Sequence, residues 1–257
     1  MINFEYLQDN KEKLRADYLL AKPFPFLVID DFCDTAKLEQ LYHDIPLLKN
    51  KSRDYIFAHN KFEKANYKEL GPLFLEFYKD LASDAMNDFL SYISNEDVFV
   101  DPSNHGGGLH QGQKNSFLDM HLDFNYHPLH KNWFRNMNLL LYLNKDWHPE
   151  YRGHLKLVDL RTGDKKELGV PFNRMIIQQT RAYTLHGYGM TNFPEGKYRT
   201  SIATYAYTVH RHHIEKPRTT DWVVNDAGTV KKFIASIYGP AVKIKNSLLG
   251  SGTAKNQ

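Results

Sequence analysis

The stretch FLDMHLDFNYHPLHKNWFRNMNLLLYLN, residues 117–144, decides how the rest of the chain is interpreted. It holds His121 and Asp123 two residues apart, and side chains two residues apart on a β-strand point to the same face. An imidazole and a carboxylate can therefore converge on one metal ion. We expect a third ligand from His186, which follows a strand-like run in RAYTLHGYGM, residues 181–190.

Two imidazoles and one carboxylate leave coordination positions open at a metal ion. This donor set suits non-haem Fe(II) that must also bind a cosubstrate and O2. A closed structural zinc site would need four protein ligands. The H-x-D pair alone is a weak signal, because a chain with 13 histidines produces such pairs by chance.

A second segment, KYRTSIATYAYT at 197–208, strengthens the interpretation. If it is a strand, its odd-numbered positions share one face; they are Arg199, Ser201, Ala203, Tyr205 and Tyr207. A buried guanidinium needs an anionic partner, and a dicarboxylic acid would supply one through bidentate pairing. In the strand predicted at 137–143, Tyr142 lies on the more polar face with Asn138 and Leu140, so its hydroxyl is expected beside Arg199.

These segments carry a resemblance to a known family. HLD (121–123), NLLLYLNKDW (138–147), GHLKL (153–157), FNRMII (172–177), HG (186–187) and RTSIATYAYT (199–208) together resemble the prolyl 4-hydroxylase-like branch of the Fe(II)/2-oxoglutarate-dependent dioxygenase superfamily. The opening FPFLVIDDF (24–32) also resembles the usual entry to that domain. Two departures are visible: Arg152-Gly153 stands where two glycines are frequent, and the loop TNFPEGK (191–197) is longer than in many relatives.

The resemblance implies residue roles, cofactors and a reaction. His121, Asp123 and His186 would be the iron ligands and the catalytic centre, Arg199 would bind the distal carboxylate of 2-oxoglutarate, and Tyr142 and Ser201 would assist it. The implied cofactors are Fe(II), 2-oxoglutarate as cosubstrate and O2, with ascorbate as a candidate reductant. The implied reaction hydroxylates an unactivated C–H bond and is coupled to decarboxylation of 2-oxoglutarate to succinate and CO2. Relatives with a small residue in place of the carboxylate can halogenate, so Asp123 favours hydroxylation.

The substrate stays open at the level of sequence. A prolyl residue in a peptide or protein and a small molecule such as an amino acid, a sugar or a natural-product intermediate are both compatible with the resemblance. Candidate substrate contacts are Asn125, Arg135, Arg181 and Tyr55. Two other function classes stay open: a metal-dependent hydrolase and a non-catalytic jelly-roll sugar-binding module. The hydrolase would leave Arg199 and Tyr142 unexplained.

The periodicity predicts a mainly β fold with flanking helices. Strands are expected at 53–60, 98–100, 109–123, 137–143, 154–159, 174–179, 182–187 and 198–208, and helices at 2–20, 35–48, 67–93 and 229–248. With the resemblance, we predict a double-stranded β-helix of the jelly-roll, cupin-like type. We expect one dioxygenase domain over 1–257, with N-terminal support at 1–97, the jelly-roll core at 98–208 and a helical extension at 209–257.

Composition limits the partners and the compartment. The net charge of +3 predicts no nucleic-acid partner, and the single cysteine, Cys33, excludes an intramolecular disulfide. No apolar run is long enough for a membrane span, and the first 20 residues lack the features of a secretory signal. We therefore expect a cytoplasmic enzyme that acts on a small-molecule or peptidyl substrate; its oligomeric state is left open.

Overall fold

The computed structural model describes residues 1–48, 53–55, 58–65 and 69–222 of the 257-residue chain. The helices in this part are α1 (Phe4–Asp9), α2 (Lys11–Leu20), α3 (Thr35–His43), α4 (Pro72–Leu81) and α5 (Asp84–Ser94). The strands are β1 (Phe26–Ile29), β2 (Arg53–Tyr55), β3 (Ala58–Lys64), β4 (Phe99–Val100), β5 (Gly108–Leu122), β6 (Trp133–Tyr142), β7 (Leu155–Asp159), β8 (Lys165–Leu168), β9 (Arg174–Gln179), β10 (Thr184–Tyr188), β11 (Arg199–Val209) and β12 (Asp221–Trp222). The helix predicted at 229–248 lies outside the described residues.

The strands form a curled antiparallel sheet. Its path runs β1–β9–β6–β11–β5–β10–β7–β8, and β3 and β12 also pair with β5. Strand β5 belongs to both halves of this path: Gly108–Gly112 pair with β11, whereas Leu118 and His121 pair with β10. Because one long strand serves both halves, the sheet folds over into two facing layers. The predicted double-stranded β-helix is confirmed.

The alternation along β6 separates the helical core from the interior of the roll. Met137, Leu139 and Leu141 pack in the main hydrophobic core with residues of all five helices. Asn138, Leu140 and Tyr142, on the other face, line a cavity between the two layers. One face of β6 thus stabilises the fold, because it buries apolar area against the helices. The opposite face is available for a site.

Two predicted helices are interrupted. The helix expected over 2–20 is divided at Asn10, whose side-chain Nδ2 donates to the carbonyl of Tyr6 at 2.9 Å. An asparagine that bonds to the backbone in this way competes with helix continuation. The helix expected over 67–93 is two helices in its described part, because Ser83 caps the second one and its Oγ accepts from Met86 N at 3.3 Å.

Other boundaries also differ from the prediction. Helix α3 ends at His43, well before the expected residue 48, since Pro46 disfavours helical backbone at the preceding residue. The single strand expected at 53–60 is the hairpin β2–β3. Strand β8 was not predicted, because its sequence KKEL is short and charged and lies at the edge of the sheet. Strand β12 is two residues long and gives no periodic signal.

The residues after β11 return across the open end of the roll. Residues 210–222, which we term the strap, run from the end of β11 to β12, and β12 pairs with β5 at Leu122 and His121. No helix in the described residues is long and apolar enough to cross a membrane. The expected subdivision at 97 and 208 stays a prediction.

Candidate active site

Strands β5 and β10 bring the three predicted metal ligands together. His121 and His186 are directly paired in the register of these strands, so both imidazoles enter the roll side by side with ring centroids 4.3 Å apart. Asp123 follows the end of β5. Its Oδ1 lies 3.7 Å from His121 Nε2 and its Oδ2 lies 3.6 Å from His186 Nε2. Ligand atoms of all three residues lie within 4.8 Å of one another.

The protonation of this triad is suited to a cation. His121 Nδ1 lies 2.8 Å from the carbonyl oxygen of Asp119, so Nδ1–H donates and Nε2 keeps its lone pair. Burial is the main cause that lowers the pKa of His186, to about 3, and burial likewise lowers the pKa of His121. Both imidazoles are therefore neutral near pH 7, which is the form that binds metal.

Neighbouring residues keep the Asp123 carboxylate ionised. Burial by itself would raise the pKa of Asp123, but the charge of Arg135 and, to a smaller extent, the two histidines and a hydrogen bond from Asn138 hold it well below its usual range. Arg135 NH2 lies 3.1 Å from Asp123 Oδ2, and Asn138 Nδ2 donates to the same oxygen at 2.7 Å. The donor set of two neutral imidazoles and one carboxylate fits an Fe(II) ion with open positions.

Arg199 lies at the other end of the same cavity. It is 6% exposed, its Nε donates to the carbonyl of Gly153 at 2.7 Å, and its NH2 lies 3.4 Å from the hydroxyl of Tyr142. The guanidinium also stacks on Tyr188, with 3.9 Å from Cζ to the ring centroid. Among the described residues no carboxylate pairs with Arg199. An anionic ligand would therefore neutralise the charge of its guanidinium.

One of the two departures from the family pattern, Arg152-Gly153, lies beside Arg199. The φ of Gly153 is +70°, and a Cβ there would approach Arg199 Cδ and Thr191 Cγ2 to 3.0 Å each. The glycine that anchors Arg199 is thus retained, and the departure falls on Arg152, which also has a positive φ of 56°.

The cavity between the triad and Arg199 measures about 80 Å³. Ser201, the second predicted helper, lines it and is paired in register with Tyr142 on one side and His110 on the other. Ala203 and Tyr205 continue this face of β11, as the alternation predicts. Tyr207 is buried but does not line the cavity; its ring packs against those of His127 and Phe99.

The four predicted substrate contacts have different surroundings. Arg135 lines the cavity, but its guanidinium bonds to Asp123 and stacks 3.4 Å from the ring centroid of Tyr205. Asn125 is 1% exposed, and its amide is engaged by the strap. Arg181 pairs with Glu96 at 2.6 Å and does not line the cavity. The side chain of Tyr55 lies outside the described part of the chain.

Some site residues were missed from the sequence. Asn138 and Tyr188 had a usable signal, since Asn138 alternates with Tyr142 on β6 and Tyr188 lies two residues after His186 on β10. Trp222 had no such signal, because β12 is only two residues long and ends the irregular strap; its ring centroid is 4.8 Å from that of His121.

Comparison with known proteins agrees with this geometry. The family model of the 2OG-Fe(II) oxygenase superfamily matches residues 107–207, which span both histidines, Asp123 and Arg199. The matched part of the chain, 101 of 257 residues, is thus similar to a 2OG-Fe(II) oxygenase domain. The predicted enzyme class is thereby confirmed, and the predicted iron and 2-oxoglutarate are the cofactors of this family. No curated protein sequence was found to match the chain significantly.

Solved structures resemble this chain at low sequence identity. A prolyl-4-hydroxylase of Pseudomonas putida is 13% identical with a TM-score of 0.54, over 77% of this chain and 99% of the other. A prolyl hydroxylase of Trichoplax adhaerens, solved with a hypoxia-inducible factor peptide fragment, is 12% identical with a TM-score of 0.56, over 79% and 92%. HygX of Streptomyces hygroscopicus, solved with nickel, 2-oxoglutarate and hygromycin B, is 13% identical with a TM-score of 0.50, over 71% and 82%. At these identities the likeness shows the fold alone.

Proposed function

We propose that the chain is an Fe(II)- and 2-oxoglutarate-dependent hydroxylase in which His121, Asp123 and His186 hold the iron. The observation that carries this proposal is the pairing of two sites in one cavity. A buried triad with open metal positions lies at one end, and a buried arginine that lacks a carboxylate among the described residues lies at the other. A metal-binding dicarboxylic acid would join the two ends.

The residues of the chain would orient such a cosubstrate from both sides. Arg199 and the Tyr142 hydroxyl would donate to its distal carboxylate, and Ser201 lies beside them on β11. Gly153 holds Arg199 in place through its carbonyl oxygen, and Tyr188 covers the guanidinium from water. Arg135 and Asn138 keep Asp123 ionised and fix the direction of its carboxylate.

The chemistry that Fe(II), 2-oxoglutarate and O2 supply when bound is oxidation of a C–H bond to an alcohol, coupled to decarboxylation of 2-oxoglutarate to succinate and CO2. Ascorbate would serve as the reductant that restores Fe(II). The substrate is either a prolyl residue or a small molecule. Both classes are represented among structures of this fold, since one was solved with a peptide fragment and another with hygromycin B.

The test is an anaerobic titration of Fe(II)-loaded protein with 2-oxoglutarate. We expect a weak visible metal-to-ligand charge-transfer band in the wild type and a large loss of 2-oxoglutarate affinity in Arg199→Ala. Arg161→Ala is the matched control, because Arg161 is 57% exposed at the turn after β7 and pairs with Asp159. If wild-type protein gave no band, the proposal would fail, and the metal-dependent hydrolase and sugar-binding module would have to be tested instead.

A further inference from the structure

A lysine on strand β3, which pairs with β2 and β5, lines the active-site cavity. In the register of the sheet Lys61 is opposite Gly112, and Gly112 is opposite Arg199, so these three residues form one row on the inner face. The position that a Cβ of Gly112 would take is filled by the hydroxyls of Ser116 and Tyr188. Lys61 lines the cavity, its side chain is 12% exposed, and its Nζ lies 2.5 Å from Glu63 Oε1.

Lys61 shares this cavity with the proposed metal ligands. The same lining includes His121, Asp123 and His186. It also includes Arg135, which pairs with Asp123 and stacks on Tyr205. Lys61 therefore lines the space in which a substrate would meet the metal.

The balance of charge in the cavity favours an anionic substrate. Among the described lining residues the cations are Lys61, Arg135 and Arg199, and the carboxylate is Asp123. The two positive charges of Fe(II) and the two negative charges of 2-oxoglutarate cancel each other. Binding of both therefore leaves the excess of positive charge in the cavity unchanged. Glu63, which is 28% exposed and is not a lining residue, offsets it from the rim.

We propose that Lys61 binds a carboxylate of the substrate in place of Glu63, so that this enzyme oxidises an acid. The inference rests on the proposed function and narrows its substrate class. The carboxylate has two sources, a free amino acid or an acidic side chain beside the oxidised residue of a peptide. A lysine with a nearby exchangeable partner suits this role, because it can give up a partly exposed ion pair, which contributes little, for a more buried one.

The experiment measures how each probe perturbs the anaerobic Fe(II)–2-oxoglutarate charge-transfer band. One arm uses free L-amino acids against their primary amides. The other uses N-acetylated, C-amidated proline peptides that carry Glu against the same peptides with Gln. We expect the carboxylate-bearing probes of one of the two arms to shift the band. The matching amide probes should do so only at much higher concentration.

Variants on β3 then assign the effect to Lys61. Lys61→Met should weaken binding of the active acid by about tenfold and leave binding of its amide unchanged. Lys61→Arg should recover most of the affinity for the acid. Glu63→Gln should act in the opposite direction, because it removes the competing carboxylate. Lys64→Met is the matched control, since Lys64 pairs with Glu69 at 2.9 Å and lies on the other face of the strand.

The outcomes separate this inference from the proposed function. A wild-type protein without a band would overturn the function itself. A normal band that no acid perturbs, or that acids and amides perturb equally, would overturn the inference alone. Loss of the band in Lys61→Met would also overturn it, because Lys61 would then belong to the cosubstrate site.

Discussion

The carboxylate of Asp123 shows how one residue serves both stability and chemistry. It lies between two neutral imidazoles and a buried guanidinium, and its Oδ2 accepts bonds from Asn138 and Arg135. Each of these partners is costly to leave unpaired in the interior. Removal of this one side chain should therefore affect folding and iron binding together.

Asp123→Ala should abolish turnover and Fe(II) binding, and it should lower the free energy of unfolding of the metal-free protein by about 3 kcal/mol because Arg135 loses its anion. Urea unfolding, iron content and succinate formation measure the three effects. Asp164→Ala, an exposed carboxylate at the turn before β8, is the control. Retained turnover in Asp123→Ala would refute the proposed ligand set.

Gly153→Ala should weaken 2-oxoglutarate binding by about tenfold, because the added Cβ displaces Arg199. Gly163→Ala is a close control: its φ is +77°, but a Cβ there meets nothing within 4 Å. Both variants should lose about 1 kcal/mol of stability from backbone strain. Titration and urea unfolding separate the effects, and equal 2-oxoglutarate affinities in the two variants would contradict the role of Gly153.

The strap shows how an element without regular structure can support the site. Arg218 Nε donates to the carbonyl of Asp123 at 3.0 Å, and Asn125 also binds the strap. The Asn125 Oδ1 accepts from Arg218 N at 2.8 Å, and its Nδ2 donates to the carbonyl of Lys216 at 3.0 Å. The strap is thus tied to the residues that directly follow β5.

Asn125→Ala should release the strap and destabilise the protein by about 2 kcal/mol, because two partly buried backbone groups of the strap lose the hydrogen bonds of the Asn125 amide. Faster amide hydrogen exchange at 214–218 is the local readout. Tyr126→Phe should have a smaller effect, since it removes the hydroxyl that accepts from Ile214 N at 2.9 Å but keeps the ring. Unchanged exchange in Asn125→Ala would show that other contacts hold the strap.

At the scale of the whole molecule, Asp101 joins the helical layer to the roll. Its backbone carbonyl accepts from the Tyr78 hydroxyl on α4, and its carboxylate lies 3.3 Å from His127 Nε2. Burial by itself would raise the pKa of Asp101, but hydrogen bonds from His127, Ser103 and His105 outweigh it and lower the pKa to about 2.

This pKa predicts a pH dependence of stability. The folded pKa of Asp101 is below its ordinary value of 3.8, so its contribution is complete above about pH 4 and is lost as the pH falls towards 2. Metal-free Asp101→Asn should be less stable than wild type by about 2 kcal/mol at pH 7, and the gap should narrow in acid. Urea unfolding across this range is the measurement, and a constant gap would contradict it.

The order of residue types along the strands indicated which side chains share a face. Period-two alternation is a local property, so it placed Tyr142, Ser201 and Arg199 on the inner face before any contact was known. The alternation does not show how far the cavity extends, so it did not reveal that Tyr207 packs against His127 and Phe99 and does not line the cavity.

Tertiary structure decided what those side chains meet. The pairing of Arg135 with Asp123, the anchoring of Arg199 by Gly153 and the entry of Lys61 all join residues of different strands. Such contacts depend on strand order and register, which are set by the burial of the whole sheet against the helices. Short sequence motifs therefore indicated the metal and cosubstrate ligands. The fold determined which charged groups contact those ligands.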